Sequence, residues 1–593
     1  MKVAKKLTLV LLIAAMVLVT FVACLPNMGG NKKEYDEPED FEFEVTATTI
    51  KFVIDDYMEI SVNGEVLEYR IENGEWQDSP LFEGLTPNTK YNVYVRVKEN
   101  DNYKASKEHS QEVTTLKYSQ SAPNVSYELV EKTVTVQSSS ELEYSFDGGV
   151  TYGSVNTHTY TDKGDKTILV RYKETDDKFS GEAQVINVKI TDYYGGSGTE
   201  TDPYLLLTEE HFIALRNETT TNSCFKLMGD LDFSSKTFYP AKIGGSSVFD
   251  GNGHKIANIN YEIDQYSRNI GVFTIAGTVK NLTLENVNIN YECDKYYCSS
   301  TVGLLAASAN NIDNCQASGE INIKDTSSYN FVIGGLVGGF NVPGGTMNRF
   351  SITNSLADVK ITYESQSTVS SGVEVGGLLG QYINATDAKD NYVTISKCGA
   401  NVDIDLSGTY GSVNKVAGLV GSNIMGKIVN CYATGKITTS GNAGNMMMGG
   451  IIAQVAVRTA ANNDRYGNAS IESCYANMDL YADRTNQGVR MGGISSLMQA
   501  YAAQTVTNCF FAGTMAVSSG GKDGFMDSFA TSVLANYTQV NCYHSDNLVS
   551  PVESGESIAA AVETMKTIAW QRDTLKFSED VWNFVEGQYP TLK

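Results

Sequence analysis

A glycine-led apolar cluster returns seven times in the second half of the chain, and no other feature limits the fold as tightly. The series is Gly271-Val272-Phe273, Gly303-Leu304-Leu305, Gly335-Leu336-Val337-Gly338, Gly377-Leu378-Leu379-Gly380, Gly418-Leu419-Val420-Gly421, Gly450-Ile451-Ile452 and Gly493-Ile494-Ser495. Successive clusters are 32, 32, 42, 41, 32 and 43 residues apart. A fixed core with elastic spacing implies a unit of strands joined by loops of variable size, the sequence form of a solenoid. A second series falls inside the same units: Asn314-Cys315, Asn354-Ser355, Lys397-Cys398, Asn430-Cys431, Ser473-Cys474, Asn508-Cys509 and Asn541-Cys542. An apolar residue such as Ile312, Ile352 or Ile428 precedes each. A third β-rich run follows, as in Gly319-Glu320-Ile321-Asn322-Ile323, so three sheets are predicted.

Winding each unit once around a shared axis stacks equivalent side chains. Cys315, Cys398, Cys431, Cys474, Cys509 and Cys542 then form an inward ladder and behave as small buried hydrophobes. Adjacent coils pair through the main chain about 4.7–4.9 Å apart, so about eight or nine coils between residues 225 and 545 give a rod of roughly 40 Å. Glycine suits corners where a side chain would clash. The Gly-Leu-Val-Gly core resembles the GLUG motif family of bacterial surface proteins, over most of residues 200–593. That resemblance implies a right-handed parallel β-helix, a pectin-lyase-like solenoid, and says little about activity. Phe225 to Phe233 and Phe249 to Ile256 resemble its first coils. Trp582-Asn583-Phe584 and Gly587 to Leu592 resemble its closing segment, where aromatics would cover the open end. Glu209 to Arg216 reads as a short amphipathic helix capping the first coil.

Upstream, two segments match at an offset of 75: Tyr69 to Gly74 returns as Tyr144 to Gly149, and Arg96 to Glu99 as Arg171 to Glu174. Both alternate apolar and polar residues between turns such as Asn73-Gly74, the pattern of antiparallel sandwiches. Leu85-Thr86-Pro87 leading to Tyr91 resembles the fibronectin type III signature, in which the tyrosine closes a corner. The second copy has Thr161 to Lys166 at that place, which leaves it immunoglobulin-like at least. Trp76 is read as a packed or half-buried strand residue in preference to a sugar-stacking one.

At the start, Lys2, Lys5 and Lys6 precede the apolar run Leu7 to Val22, an export signal. Phe21-Val22-Ala23-Cys24 resembles the bacterial lipobox, with Phe21 where leucine is usual; the resemblance implies lipidation of Cys24. Plain cleavage and a retained membrane helix are the alternatives. The expected organisation is all-β throughout: signal peptide 1–24, tether 25–40, fibronectin type III-like sandwich 41–117, second fibronectin type III or Ig-like sandwich 118–192, linker 193–203, β-helix 204–545 and cap 546–593.

Sixty-nine acidic residues against 45 basic ones, spread along the chain, argue against nucleic acid as a partner. The five histidines lack ligand spacing, and Asp230-Leu231-Asp232 and Asp250-Gly251-Asn252 read as turns of the first coils in preference to calcium ligands, so no metal or cofactor is expected. Cys293 and Cys298 are candidates for a loop disulfide, with the reduced state equally open, and Cys224 has no evident partner. No Asp or Glu recurs at one rung position, so a polysaccharide lyase or hydrolase is the rival reading and a chain without enzymatic activity the preferred one. The expected role is adhesion at the outer face of the cell envelope, with the bacterial membrane as partner through the anchor and an extracellular glycan or host matrix protein as ligand. Passive envelope architecture is the further alternative. Asn341 to Met347, Asp387 to Tyr392 and Thr459 to Tyr466 are the candidate binding loops.

Overall fold

The computed structural model describes residues 33–34, 38, 41–53, 66–219, 221–263, 268–293, 300–326, 330–340, 350–366, 372–382, 393–409, 413–422, 426–441, 444–456, 469–483, 488–499, 504–518, 525–527, 537–548 and 557–593. The fold is all-β, in two compact units. One comprises Met1–Ser126, Val136–Asn156 and Thr167–Asn187, and the other Tyr127–Thr135, Thr157–Lys166 and Val188–Lys593.

In the first unit the alternation of Lys90–Val97 buries Val93, Val95 and Val97. This strand lies between Leu67–Ile71 and His109–Thr114, and a second sheet holds Glu42–Val45, Ile50–Val53 and Leu81–Phe82. Phe41, Ile50, Phe52, Tyr69, Phe82 and Val95 join both sheets in one core. Tyr91 Oη accepts a hydrogen bond from the Thr86 N–H at 2.9 Å, which fixes the corner. Its duplicate repeats the antiparallel order with Leu142–Ser145, Gly164–Tyr172 and Gln184–Ile190. The pair Arg96–Glu68 returns as Arg171–Glu143, each at 2.6 Å. Arg96 lies 4.1 Å and Arg70 5.0 Å from the Trp76 ring centre, so cation–π stacking occupies this half-buried indole.

The second unit contains a parallel β-helix in which equivalent residues of successive coils pair in register. Gly334 pairs with Gly376, Gly376 with Ala417, and so on through Gly449 and Gly492. Four ladders of strands run along the coils where the sequence pattern suggested three. The first climbs from Asn269–Ile270 to Phe525–Asp527, the second passes through Val337, Leu379, Val420 and Ile452, and the third through Ile352, Ile395, Ile428 and Ile471. Long strands such as Leu356–Gln366 and Gly399–Thr409 make the fourth. The extra ladder arises because the glycine cluster is a corner between two strands. A Cβ on Gly377 would stand 2.1 Å from the Gly418 carbonyl oxygen, so no side chain fits. The residue between, Leu336, Leu378, Leu419, Ile451 or Ile494, is wholly buried in the core.

A second corner, between the third and fourth ladders, has a different physical basis. Asn314, Asn354, Lys397, Asn430, Ser473, Asn508 and Asn541 all adopt left-handed backbone, with φ between 49° and 56°. Asparagine tolerates that region better than most residues. Its amides also bond along the stack, Asn314 Nδ2 to Asn281 Oδ1 at 2.9 Å and Asn281 Nδ2 to Asp250 Oδ1 at 3.0 Å.

At the N-terminal end, the helix Glu209–Ala214 is capped by Thr208 and inserts Phe212 among Phe233, Phe238, Phe249 and Phe273. The C-terminal aromatics do not close the open end as the sequence pattern suggested; they cover a flank. The fourth ladder stacks Tyr432, Tyr475 and Phe510 almost parallel, at 5.5 and 4.9 Å, and Trp570, Phe577, Trp582 and Tyr589 pack over this row. Tyr475 Oη donates to the Pro590 carbonyl at 2.7 Å. An uncovered row of outward rings is an apolar patch, which explains the placement. Among the described residues no helix is long and apolar enough to cross a membrane.

Candidate ligand groove

The glycine corner bends the chain so sharply that the outward faces of the first and second ladders meet. A Cβ on Gly338, in the second ladder, would touch Thr301 Cγ2 of the first at 2.6 Å. Outward positions on the first ladder are Asn269, Thr301, Val332, Glu374, Lys415, Met447 and Arg490. Across from them stand Ser308, Gly339, Gln381, Ser422, Gln454 and Leu497 of the second.

Side-chain length decides what this concave corner contains at each level. On the later coils Met447 and Leu497 fill it, packed with Ala417 and Ala453. On the middle coils Lys415 Nζ bonds Glu374 Oε1 at 2.8 Å, and Ser422 Oγ donates to Glu374 Oε2. On the earlier coils Thr301, Val332, Ser308 and Gly339 are too short to meet, leaving a cavity of about 240 Å³. Asn269, Thr301, Ser308, Val332, Gly339, Phe340 and Gln381 line it. Ser308 is 8% exposed, and its hydroxyl has no hydrogen-bond partner among the described residues. The corner therefore offers hydroxyl and amide groups beside apolar Val332 and Phe340, and among the described residues no ionised side chain lines the cavity.

None of these residues stood out in the sequence. The legible signal was the fourth residue after each of the last five cluster glycines, Gly339, Gln381, Ser422, Gln454 and Leu497, whose size varies where the cluster itself does not.

The ladder cysteines are free and buried. Tyr475 N–H bonds the Cys431 carbonyl at 3.1 Å and Cys431 N–H reaches Cys474 Sγ at 3.4 Å, which puts these two on consecutive rungs. Each thiol also donates to the carbonyl two residues back, as Cys474 does to Glu472 at 3.2 Å. Burial pushes the Cys315 and Cys542 thiols up to about 12 and raises Cys398, Cys431, Cys474 and Cys509 as well. Thiolate is the reactive form. Iodoacetamide at pH 8 is therefore expected to spare all six in the folded chain and label them in denaturant; rapid native labelling of Cys431 or Cys474, read by peptide mass spectrometry, would contradict the burial.

Cys293 is buried and disulfide-bonded, whereas Cys298 and Cys24 lie outside the described residues. Cys224 is free and half-buried. Asp230 accepts from His254 Nδ1 and the Lys255 N–H, both at 3.1 Å, Asp232 from Asn258 at 2.9 Å, and Asp250 from Asn281 at 3.0 Å. These carboxylates serve as hydrogen-bond acceptors for the next coil, and no cluster able to hold a metal occurs among the described residues. The loops 341–347, 387–392 and 459–466 lie outside the described residues.

No family description and no curated protein matches the sequence. Solved structures do. A protein described as a candidate immunoglobulin A1 protease from Bacteroides ovatus aligns at 15% identity and a TM-score of 0.34, over 68% of this chain and 95% of that one. A structure named IgA1 protease aligns at 13% identity and 0.35, over 80% of this chain but a third (33%) of its own length. A two-domain fibronectin type III segment of chicken tenascin aligns at 16% identity and 0.17, over 26% of this chain and 98% of that segment. The expectation of a chain without enzymatic activity is corrected here, because two of these three structures are described as proteases. The missing carboxylate pattern bears only on sugar-cleaving chemistry and leaves other catalytic sets open. At these identities and TM-scores the likeness transfers no activity to this chain.

Proposed function

We propose that this chain is a lipoprotein of the bacterial cell surface, anchored through a diacylated Cys24, whose GLUG-type β-helix binds an extracellular ligand along the concave corner. Ser308 carries the reading. A buried hydroxyl without a partner costs on the order of 1–3 kcal/mol, and this one, unpartnered among the described residues, lies in the wall of a cavity where a ligand group would satisfy it. Basic head, apolar run and Cys24 support the anchor, and the acidic surface suits display outside the cell. Cys293 and Cys298 would close the loop between them as a disulfide in that oxidising setting.

In a bacterial host the N-terminal peptide of the mature chain is expected to carry two acyl groups on Cys24, with the protein in the membrane fraction. Cys24→Ala should shift it to the soluble fraction. An unmodified Cys24 in membrane-associated protein, seen by mass spectrometry, would remove the anchor. The soluble Cys24→Ala chain, applied to an array of extracellular glycans and matrix proteins, tests the binding half.

A further inference from the structure

We infer that the corner cavity is a subsite for a neutral, linear glycan lying along the coil axis. This rests on the reading of the corner as a binding surface and names the class of ligand. Three observations select it. First, Asn269, Thr301, Ser308 and Gln381 supply amide and hydroxyl groups, each able to donate and accept, while Val332 and Phe340 supply apolar surface. A sugar ring presents the same mixture, hydroxyls at its rim and C–H groups on its faces. Second, among the described residues the cavity lining has no charged group, and the chain carries a net charge of −24, which disfavours a polyanionic sugar. Third, both ladders of the corner are paired from coil to coil, so an extended peptide finds no free strand edge there to augment.

The cavity volume of about 240 Å³ is below the ~300–1,000 Å³ of sites for drug-sized ligands, and suits one ring of a longer chain. The ligand is linear because the open stretch of the corner runs along the axis from Asn269 to Gln381, with the coil repeat of about 4.8 Å. The Glu374–Lys415–Ser422 bridge and then Met447 with Leu497 occupy the corner on later coils, so they bound the subsite on that side.

The test uses the full Cys24→Ala chain and fluorescent tetrasaccharides of glucose, galactose, mannose and galacturonate. Binding of at least one neutral tetrasaccharide, and weaker binding of galacturonate, is expected. Ser308→Val should weaken that binding about tenfold, the loss of one well-made hydrogen bond, and Gln381→Ala should weaken it similarly. Ser308→Val should leave the melting temperature unchanged or raised, because the hydroxyl has no partner to lose among the described residues; a purely structural Ser308 would lower it. Preference for galacturonate, or neutral binding that neither substitution affects, would overturn the inference and leave the broader surface-binding reading standing. Silence of every tetrasaccharide together with a matrix-protein signal would overturn the glycan alone, and silence of the whole array would remove both.

Discussion

Gly377→Ala is expected to destabilise the β-helix by about 3 kcal/mol, the upper end of what an added methyl group costs in a packed core. The new Cβ would stand 2.1 Å from the Gly418 carbonyl oxygen, 2.4 Å from Val402 Cγ1 and 3.1 Å from Ala400 Cβ. Valine and alanine side chains have little room to turn away, and the carbonyl belongs to the next coil's corner. Relief therefore requires two coils to separate where Gly377 N–H bonds the Ala417 carbonyl at 3.1 Å. Gly229→Ala is the matched control, since its Cβ would meet only Leu207 Cδ1 at 3.7 Å, and a change within about 0.5 kcal/mol is expected. Urea unfolding of the two variants followed by circular dichroism makes the comparison. Solenoid repeats can unfold in sections, so the loss should show as an earlier transition of part of the amplitude. Equal midpoints for the two variants would mean that the corner yields and that the glycine cluster marks something other than close approach.

This corner also shows how far the sequence could be read. The return of glycine every 32 to 43 residues was enough for a coil per unit, because each coil meets the same steric limit at the same place. What the pattern did not reveal was that the cluster divides two strands, since a corner made by close packing has no positive φ and no turn residue to announce it. The asparagine corner was more legible than its reading: Asn314, Asn430, Asn508 and Asn541 are the residue type suited to left-handed backbone. The candidate groove was least legible. Its walls come from Asn269, Thr301, Ser308 and Gln381, on three coils and more than a hundred residues of sequence, and none of them is unusual alone. Only the register places short side chains opposite one another there and brings long ones together from successive coils at Met447 and Leu497.

Trp582→Ala is expected to cost roughly 3–5 kcal/mol in the attachment of the C-terminal segment. The indole is 1% exposed, with ring centres of Phe577, Tyr475 and Tyr432 at 5.0, 5.9 and 6.4 Å. Its N–H has no hydrogen-bond partner among the described residues, so the loss comes from packing. Tyr475→Phe separates the polar contribution, removing only the 2.7 Å bond to the Pro590 carbonyl, for about 1 kcal/mol. Because the segment covers the flank, its release should leave the strand ladders paired while uncovering Tyr432, Tyr475, Phe510 and Tyr543. Aromatic side chains bury about 150–250 Å² each, so the uncovered row would match or exceed the largest apolar patches of ordinary soluble proteins. Trp582→Ala should accordingly bind a hydrophobic dye, be trimmed by protease between residues 560 and 593, and keep its far-ultraviolet β signal. If the β signal collapsed together with the trimming, the segment would be part of the solenoid's own cooperative core; if the dye and protease found nothing, the row would be stable without its cover.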